Sequence, residues 1–219
     1  MNGKTIVITG ASAGIGAALA TLCESKGANV VPVARSLPIA ADMTKRADVE
    51  RVRDVAIERF GKVDVWVNNV GRGIARPILA LTDEDVDEMI AVNVKSALYG
   101  MQAIVPHFQA RGDGHVINVS SVLGRLPLAP IRSAYGAAKA ALDMLTAILR
   151  TQLAQSHPNI HVSLIVPGVV ATDFGKHARG GSPDFKLPDG VPFQTADEVA
   201  AVIAEVIEHP VAERFTQTR

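Results

Sequence analysis

The chain has 219 residues, 22 basic and 22 acidic side chains, a formal net charge of zero and one cysteine. That length buries a core without disulfides or metals. The balanced charge gives no electrostatic pull toward nucleic acid or an anionic membrane, and Cys23 alone can form no internal disulfide. No apolar run approaches the roughly 18 residues of a membrane span. Only Lys4 precedes a short apolar stretch ending at Gly10, too little for a secretory core. One domain in a reducing cytoplasm is expected.

The first element is the β-branched run Lys4-Thr5-Ile6-Val7-Ile8-Thr9, which ends at Gly10 and leads into helix spacing from Ile15 to Leu22. A second strand is predicted over 28–34, weakened by Pro32, which cannot donate to a ladder. Residues 38–41 allow only a brief strand, and Val49, Val52, Val55, Ala56 and Phe60 then fall at helix spacing before Gly61. Another strand runs over 63–68. Thr82-Asp83-Glu84-Asp85 has the pattern of a capping box and opens one long helix to about Ala110, with Asn93 interrupting an apolar face.

A strand over 115–120, a helix carrying Leu142, Leu145, Leu149 and Leu153, and a strand over 160–166 come next. Residues 173–194 are rich in glycine and proline and are predicted as a long mobile loop over a site. Thr195 caps a last helix, Pro210 prevents its continuation, and 214–217 can add a short strand. Strands alternating with helices predict one doubly wound, Rossmann-like α/β domain, a mostly parallel sheet of about seven strands with helices on both faces.

Two patterns point to chemistry. Gly10, Gly14 and Gly16 lie between the first strand and first helix, where a tight turn lets backbone N–H groups meet a pyrophosphate. Tyr135 and Lys139 are four residues apart on a helix and share a face. A nearby cation favours a phenolate, so the pair suits acid/base work at neutral pH. Other polar residues read as structural. His107, His157 and His209 are expected at helix ends on the surface, and Asp64 as a turn acid. No His, Cys and acid spacing fits a metal, and none is expected. Ser121 lacks a nucleophile elbow and an evident His and acid, which argues against a hydrolase.

Thr9-Gly10-Ala11-Ser12-Ala13-Gly14-Ile15-Gly16 resembles the cofactor turn of the short-chain dehydrogenase/reductase family. In order, Asp42-Met43 resembles that family's adenine-side acid, Asn68-Asn69-Val70-Gly71 its Asn-Asn-Ala-Gly turn, and Ser120-Ser121 its strand-end serine. Tyr135 to Lys139 is similar to its Tyr-x-x-x-Lys pair, and Pro167-Gly168, Val170 and Thr172 to the segment beyond the sixth strand. The resemblance implies a nicotinamide-dependent oxidoreductase that interconverts a carbonyl and an alcohol. Tyr135 would be the acid/base, Lys139 would lower its pKa and hold the nicotinamide ribose, Ser121 would bind the reacting oxygen, and Asn93 would hold a water linking Lys139 to solvent. Ser12, Ile15, Asn69 and Gly71 join the expected cofactor contacts.

Ser121 lies fourteen positions before Tyr135, one more than in many members, so Ser120 stays a lesser candidate. Only six residues separate Arg35 from Asp42, where the family usually has a helix, so one sheet edge is expected to be less covered. An acid at the end of the second strand would favour NAD; the chain has Arg35 and Ser36 there, which favours NADP(H). The family's helix pairing implies a homodimer or homotetramer. The competing reading is a catalytically silent nucleotide-binding scaffold on the same fold.

Overall fold

The computed structural model describes residues 1–182, 184, 190 and 192–217. Seven strands, β1 (Thr5–Thr9), β2 (Asn29–Ala34), β3 (Ile39–Ala40), β4 (Val65–Asn68), β5 (Gly114–Val119), β6 (Ile160–Val166) and β7 (Glu213–Phe215), form one sheet in the order β3-β2-β1-β4-β5-β6-β7. Every pairing is parallel. Strand side chains alternate between two cores, as the period of two requires. Ile6, Ile8, Val65, Val67, Ile117 and Val119 pack toward α1 (Gly14–Ser25) and α6 (Ala196–Glu208). Val7, Trp66 and Val116 pack toward α2 (Arg46–Phe60), α4 (Ser96–Arg111) and α5 (Ser133–Ala154). Sheets covered on both faces need strands that are apolar on both, which is why β1 and β4 read as continuous runs. No helix among the described residues is long and apolar enough to cross a membrane.

Pro32 sits inside β2 at no cost to the ladder. Asn29 N–H donates to Lys4 on the β1 side, so alternation turns the backbone groups of residues 30, 32 and 34 the other way. On that side β3 pairs only with Val33 and Ala34, and the missing proline donor faces no strand residue. A parallel neighbour normally needs a crossover of about a dozen residues. Here residues 35–38 step sideways and return at once, which suffices because β3 is two residues long.

The single helix predicted from 83 to about 110 is three pieces. After α3 (Asp83–Ile90), with its Thr82–Asp85 capping box, comes a π turn over Ala91–Lys95 and then α4. Periodicity cannot show a one-residue widening of the spiral; a buried polar residue, Asn93, is what marks it. The described first part of the Gly/Pro-rich stretch pairs with the segment after Gly71. Arg179 N–H donates to Gly73 O at 2.9 Å and Arg179 O accepts from Ala75 N–H at 2.8 Å. Residues 183, 185–189 and 191 of the predicted loop lie outside the described residues.

Candidate active site

The chain moves outward from β1 to β3 and then returns to place β4 on the other side of β1, so a crevice opens at the carboxyl ends of β1 and β4. The glycine turn fills its floor. Gly10 has φ +69, and a Cβ on Gly16 would lie 2.3 Å from Gly10 O, so the turn closes only without side chains at these positions. Asn69 clamps it from β4: its Nδ2 donates to Thr9 O at 3.1 Å and Gly10 O at 3.2 Å, and its N–H donates to Thr9 Oγ1 at 3.0 Å. No side chain caps α1 and no acid stands in its first turn. A positive helix end left open in this way fits a phosphate. Exposed Ser12 and half-buried Ile15 flank the turn.

The remaining expected cofactor residues ring the same crevice. The methyl of Thr172 is 3.2 Å from where a Cβ of Gly14 would stand, so Thr172 leans over the turn. Val170 pairs with Gln194, whose N–H donates to Val169 O at 2.9 Å, and Gln217 packs on Gly168 after buried Pro167. Arg35 and Ser36 are exposed at the end of β2. Asp42 Oδ1 accepts from Thr44 N–H at 3.0 Å and Thr44 Oγ1 at 2.7 Å, and Met43 is buried.

Tyr135 and Lys139 stand on the buried face of α5, with Lys139 Nζ 5.8 Å from the Tyr135 ring centre and 2.9 Å from Val119 O, to which it donates. Gly71 shows how tightly the groups converge: a Cβ there would lie 3.2 Å from Asn93 Oδ1 and 3.6 Å from Lys139 Nζ. Ser121 stands close enough to the Tyr135 phenol to pull its pKa down, and its Oγ accepts from Leu123 N–H at 3.2 Å. The Ser120 hydroxyl instead donates to Asp143. Behind them a chain of buried amides registers α5 on the sheet. Trp66 Nε1 donates to Asn68, Asn68 to Asn118, and Asn118 to Thr146, each at 2.8 Å.

Residues 4–182 match the family model for short chain dehydrogenases. An uncharacterised oxidoreductase of Listeria innocua is 35% identical over 230 aligned residues, covering 94% of this chain and 91% of that one. The chain belongs to the short-chain dehydrogenase family. Among solved structures, a short-chain dehydrogenase from Burkholderia cenocepacia in complex with NADP superposes with TM-score 0.85 at 27% identity, covering 98% of this chain and 96% of that one. A 3-ketoacyl-(acyl-carrier-protein) reductase from Brucella melitensis, complexed with NADH, gives 0.86 at 27% identity with the same coverage.

In this short-chain dehydrogenase, burial dominates the electrostatics of the pair. It pushes the Tyr135 phenol up to about 12, against Ser121 and the charge of Arg132, which pull it down. It pushes the Lys139 ammonium down to about 8, while Asp143 acts the other way. Arg132 is a cation that pulls the phenol down, and the Lys139 ammonium, 5.8 Å from the ring centre, donates to Val119 O. The Asn93 side chain has protein partners of its own. Its Oδ1 accepts from Arg72 N–H at 3.1 Å, and its Nδ2 donates to Arg72 O at 3.0 Å and Met89 O at 3.1 Å. The amide holds the segment after Gly71. His107, expected on the surface, is half-buried and accepts from Val63 N–H at 3.2 Å.

Several residues of the short-chain dehydrogenase site escaped sequence reasoning. Phe174 sets its ring edge on Tyr135 with centroids 5.5 Å apart. A Cβ on Gly73 would lie 2.9 Å from Phe174 and 3.1 Å from Arg132 Nη1, which closes that side of the crevice. Arg179 reaches back to buried Asp85 and to Glu88 on α3, carboxylates shared with Arg76 and Arg72 respectively. No local signal marks Phe174 or Arg179, whose partners are distant in sequence. Asp143 was legible in principle, four residues beyond Lys139 on the face that carries the pair.

Proposed function

We propose that the protein is an NADP(H)-dependent oxidoreductase interconverting a carbonyl and a secondary alcohol, with Tyr135 as general acid/base. The observation that carries the reading is the convergence of Tyr135, Ser121 and Lys139 in one buried pocket beside an uncapped glycine turn. The nicotinamide, when bound, supplies or accepts the hydride. Tyr135 supplies the proton to the carbonyl oxygen, and a phenol pushed up to about 12 stays protonated at neutral pH, as an acid in the reductive direction must. Ser121 holds the reacting oxygen. Lys139 holds the nicotinamide ribose, and a lysine at about 8 is still mostly an ammonium at pH 7. Asn93 holds a water that links Lys139 to solvent as a proton path. Gly10, Ser12, Gly14, Ile15 and Gly16 take the pyrophosphate, Asp42 and Met43 the adenine side, and Asn69, Gly71, Pro167, Gly168, Val170 and Thr172 the nicotinamide half.

A nicotinamide cofactor is supported by the relatives whose structures hold NADP and NADH. The choice of NADP(H) rests on Arg35 and Ser36, exposed at the end of β2 where a 2′-phosphate meets a planar fork and a hydroxyl. Hydrogen bonds to charged groups contribute about 1.5–3 kcal/mol, roughly 10- to 150-fold in affinity. Arg35→Ala should lower kcat/KM for NADPH by that order and leave NADH nearly unchanged. A wild type that prefers NADH would refute the assignment.

The protein works in the cytoplasm on a small carbonyl or alcohol substrate, without nucleic acid or membrane as partner, under a cover to which the described residues 173–182 belong. It assembles as a homodimer or homotetramer. Met144 and Ile148 support this, being 62% and 45% exposed on the outer face of α5. Light scattering should give at least twice the 23.1 kDa monomer mass at micromolar concentration, and a monomer would contradict it. The silent-scaffold reading is less favoured, because Tyr135 and Lys139 are both present and share the buried face of α5.

A further inference from the structure

Asp143 lies one helical turn beyond Lys139 and two beyond Tyr135, on the same face of α5, and is 8% exposed. A carboxylate so desolvated needs partners. One oxygen accepts from the Ser120 hydroxyl, the other from Arg125 Nε, and Arg125 Nη2 donates onward to Glu213 Oε2 on β7 at 2.8 Å. These two partners bracket Ser121. Ser120 precedes it, and Arg125 closes the 3-10 turn Val122–Gly124, whose Leu123 N–H caps on Ser121 Oγ. The turn lies directly on α5, since a Cβ on Gly124 would meet the backbone of Lys139 and Ala140 at 3.0 Å. The Ser121 hydroxyl must thus be aimed at a phenol on the very helix that carries Asp143.

We propose that Asp143 is a positioning residue for this site: gripping Ser120 and Arg125, it fixes Ser121 beside Tyr135 and sets its carboxylate one helical turn from Lys139. The inference rests on the acid/base reading above. Around Lys139 the other groups are Tyr135 on α5, Val119 O on β5 and Asn93 from the π turn. Among the described residues Asp143 is the charged group that raises the Lys139 pKa, with Arg125 partly neutralising it. Without the carboxylate Lys139 sheds its proton at lower pH, and a phenol freed of that negative charge also ionises at lower pH. Both effects move the alkaline limb of a reductive rate in the same direction.

The test compares Asp143→Asn, Asp143→Glu and Arg125→Gln with wild type. Three readouts are taken: NADPH binding against pH, by quenching of protein fluorescence; kcat against pH for reduction of the probe 2,3-butanedione; and Tm. Asp143→Asn should lower kcat by roughly 10- to 100-fold, the scale of a small misplacement of a reacting group, and move the alkaline limbs of binding and kcat to lower pH. Asp143→Glu should restore the limbs while kcat stays low, because the charge returns on a longer arm. Arg125→Gln, which keeps the carboxylate, should move the limbs to higher pH and still lower kcat. If Asp143→Asn loses Tm alone, with both limbs and kcat unchanged, the role is structural and the proposal fails. Should Asp143→Asn not fold, Arg125→Gln decides: unmoved limbs and unchanged kcat overturn it. If wild type reduces no probe ketone, the oxidoreductase reading fails, while the binding limb still reports whether Asp143 controls Lys139.

Discussion

Tyr135→Phe should lower kcat for ketone reduction by about 10²–10⁴-fold, the usual contribution of a positioned acid/base group, while NADPH still binds. The substitution removes only the hydroxyl. The ring stays packed against Phe174, and the groups that shape the glycine turn, Asn69 and Thr9, are untouched. Burial makes the prediction sharper. At about 12 the phenol is a full proton reservoir at pH 7, and a benzene ring in the same cavity offers none. Loss of turnover with an unchanged NADPH Kd is the expected split; a phenylalanine variant with near-normal kcat would remove Tyr135 from the chemistry.

Gly16→Ala should destroy cofactor binding outright. Its new Cβ would stand 2.3 Å from Gly10 O, 2.6 Å from Asn69 Nδ2 and 2.9 Å from the Gly10 carbonyl carbon. Two of these three atoms are backbone and cannot swing aside. Relief requires moving α1 off the end of β1, which opens the pyrophosphate turn and strains the packing of Leu19 and Ala20 against α6. Overpacking of this kind costs about 1–3 kcal/mol of stability, so a Tm several degrees lower should accompany at least a 100-fold weaker NADPH affinity. Unchanged Tm and Kd together would mean that the turn adapts and that Gly16 is not needed for it.

The sheet was legible because parallel strands buried on both faces leave unmistakable runs such as Ile6-Val7-Ile8, and because Gly10 and Gly61 mark where one element stops before the next. The Tyr135/Lys139 pair was legible from a four-residue spacing. The features that escaped depended on contacts across the chain. Whether Pro32 breaks β2 is decided by how far β3 extends beside it, not by β2 itself. Asn93 announced a buried amide, but the π turn around it is a detail of spiral width that no hydrophobic period encodes. What separates Ser120 from Ser121 is Asp143, which accepts from the Ser120 hydroxyl and is distant from both in sequence. Arg132, three residues upstream at the helix entry, also pulls on the phenol, and nothing in the spacing singles it out.

The central claim is that this crevice transfers hydride to a carbonyl under a proton from Tyr135. NADPH carrying deuterium at the transferable C4 position, incubated with the protein and a panel of ketones, tests it directly through mass spectrometry of the products. Deuterium on the carbinol carbon of at least one alcohol, lost in Tyr135→Phe, is the predicted result. Tight NADPH binding with no labelled alcohol from any ketone on a broad panel would contradict it.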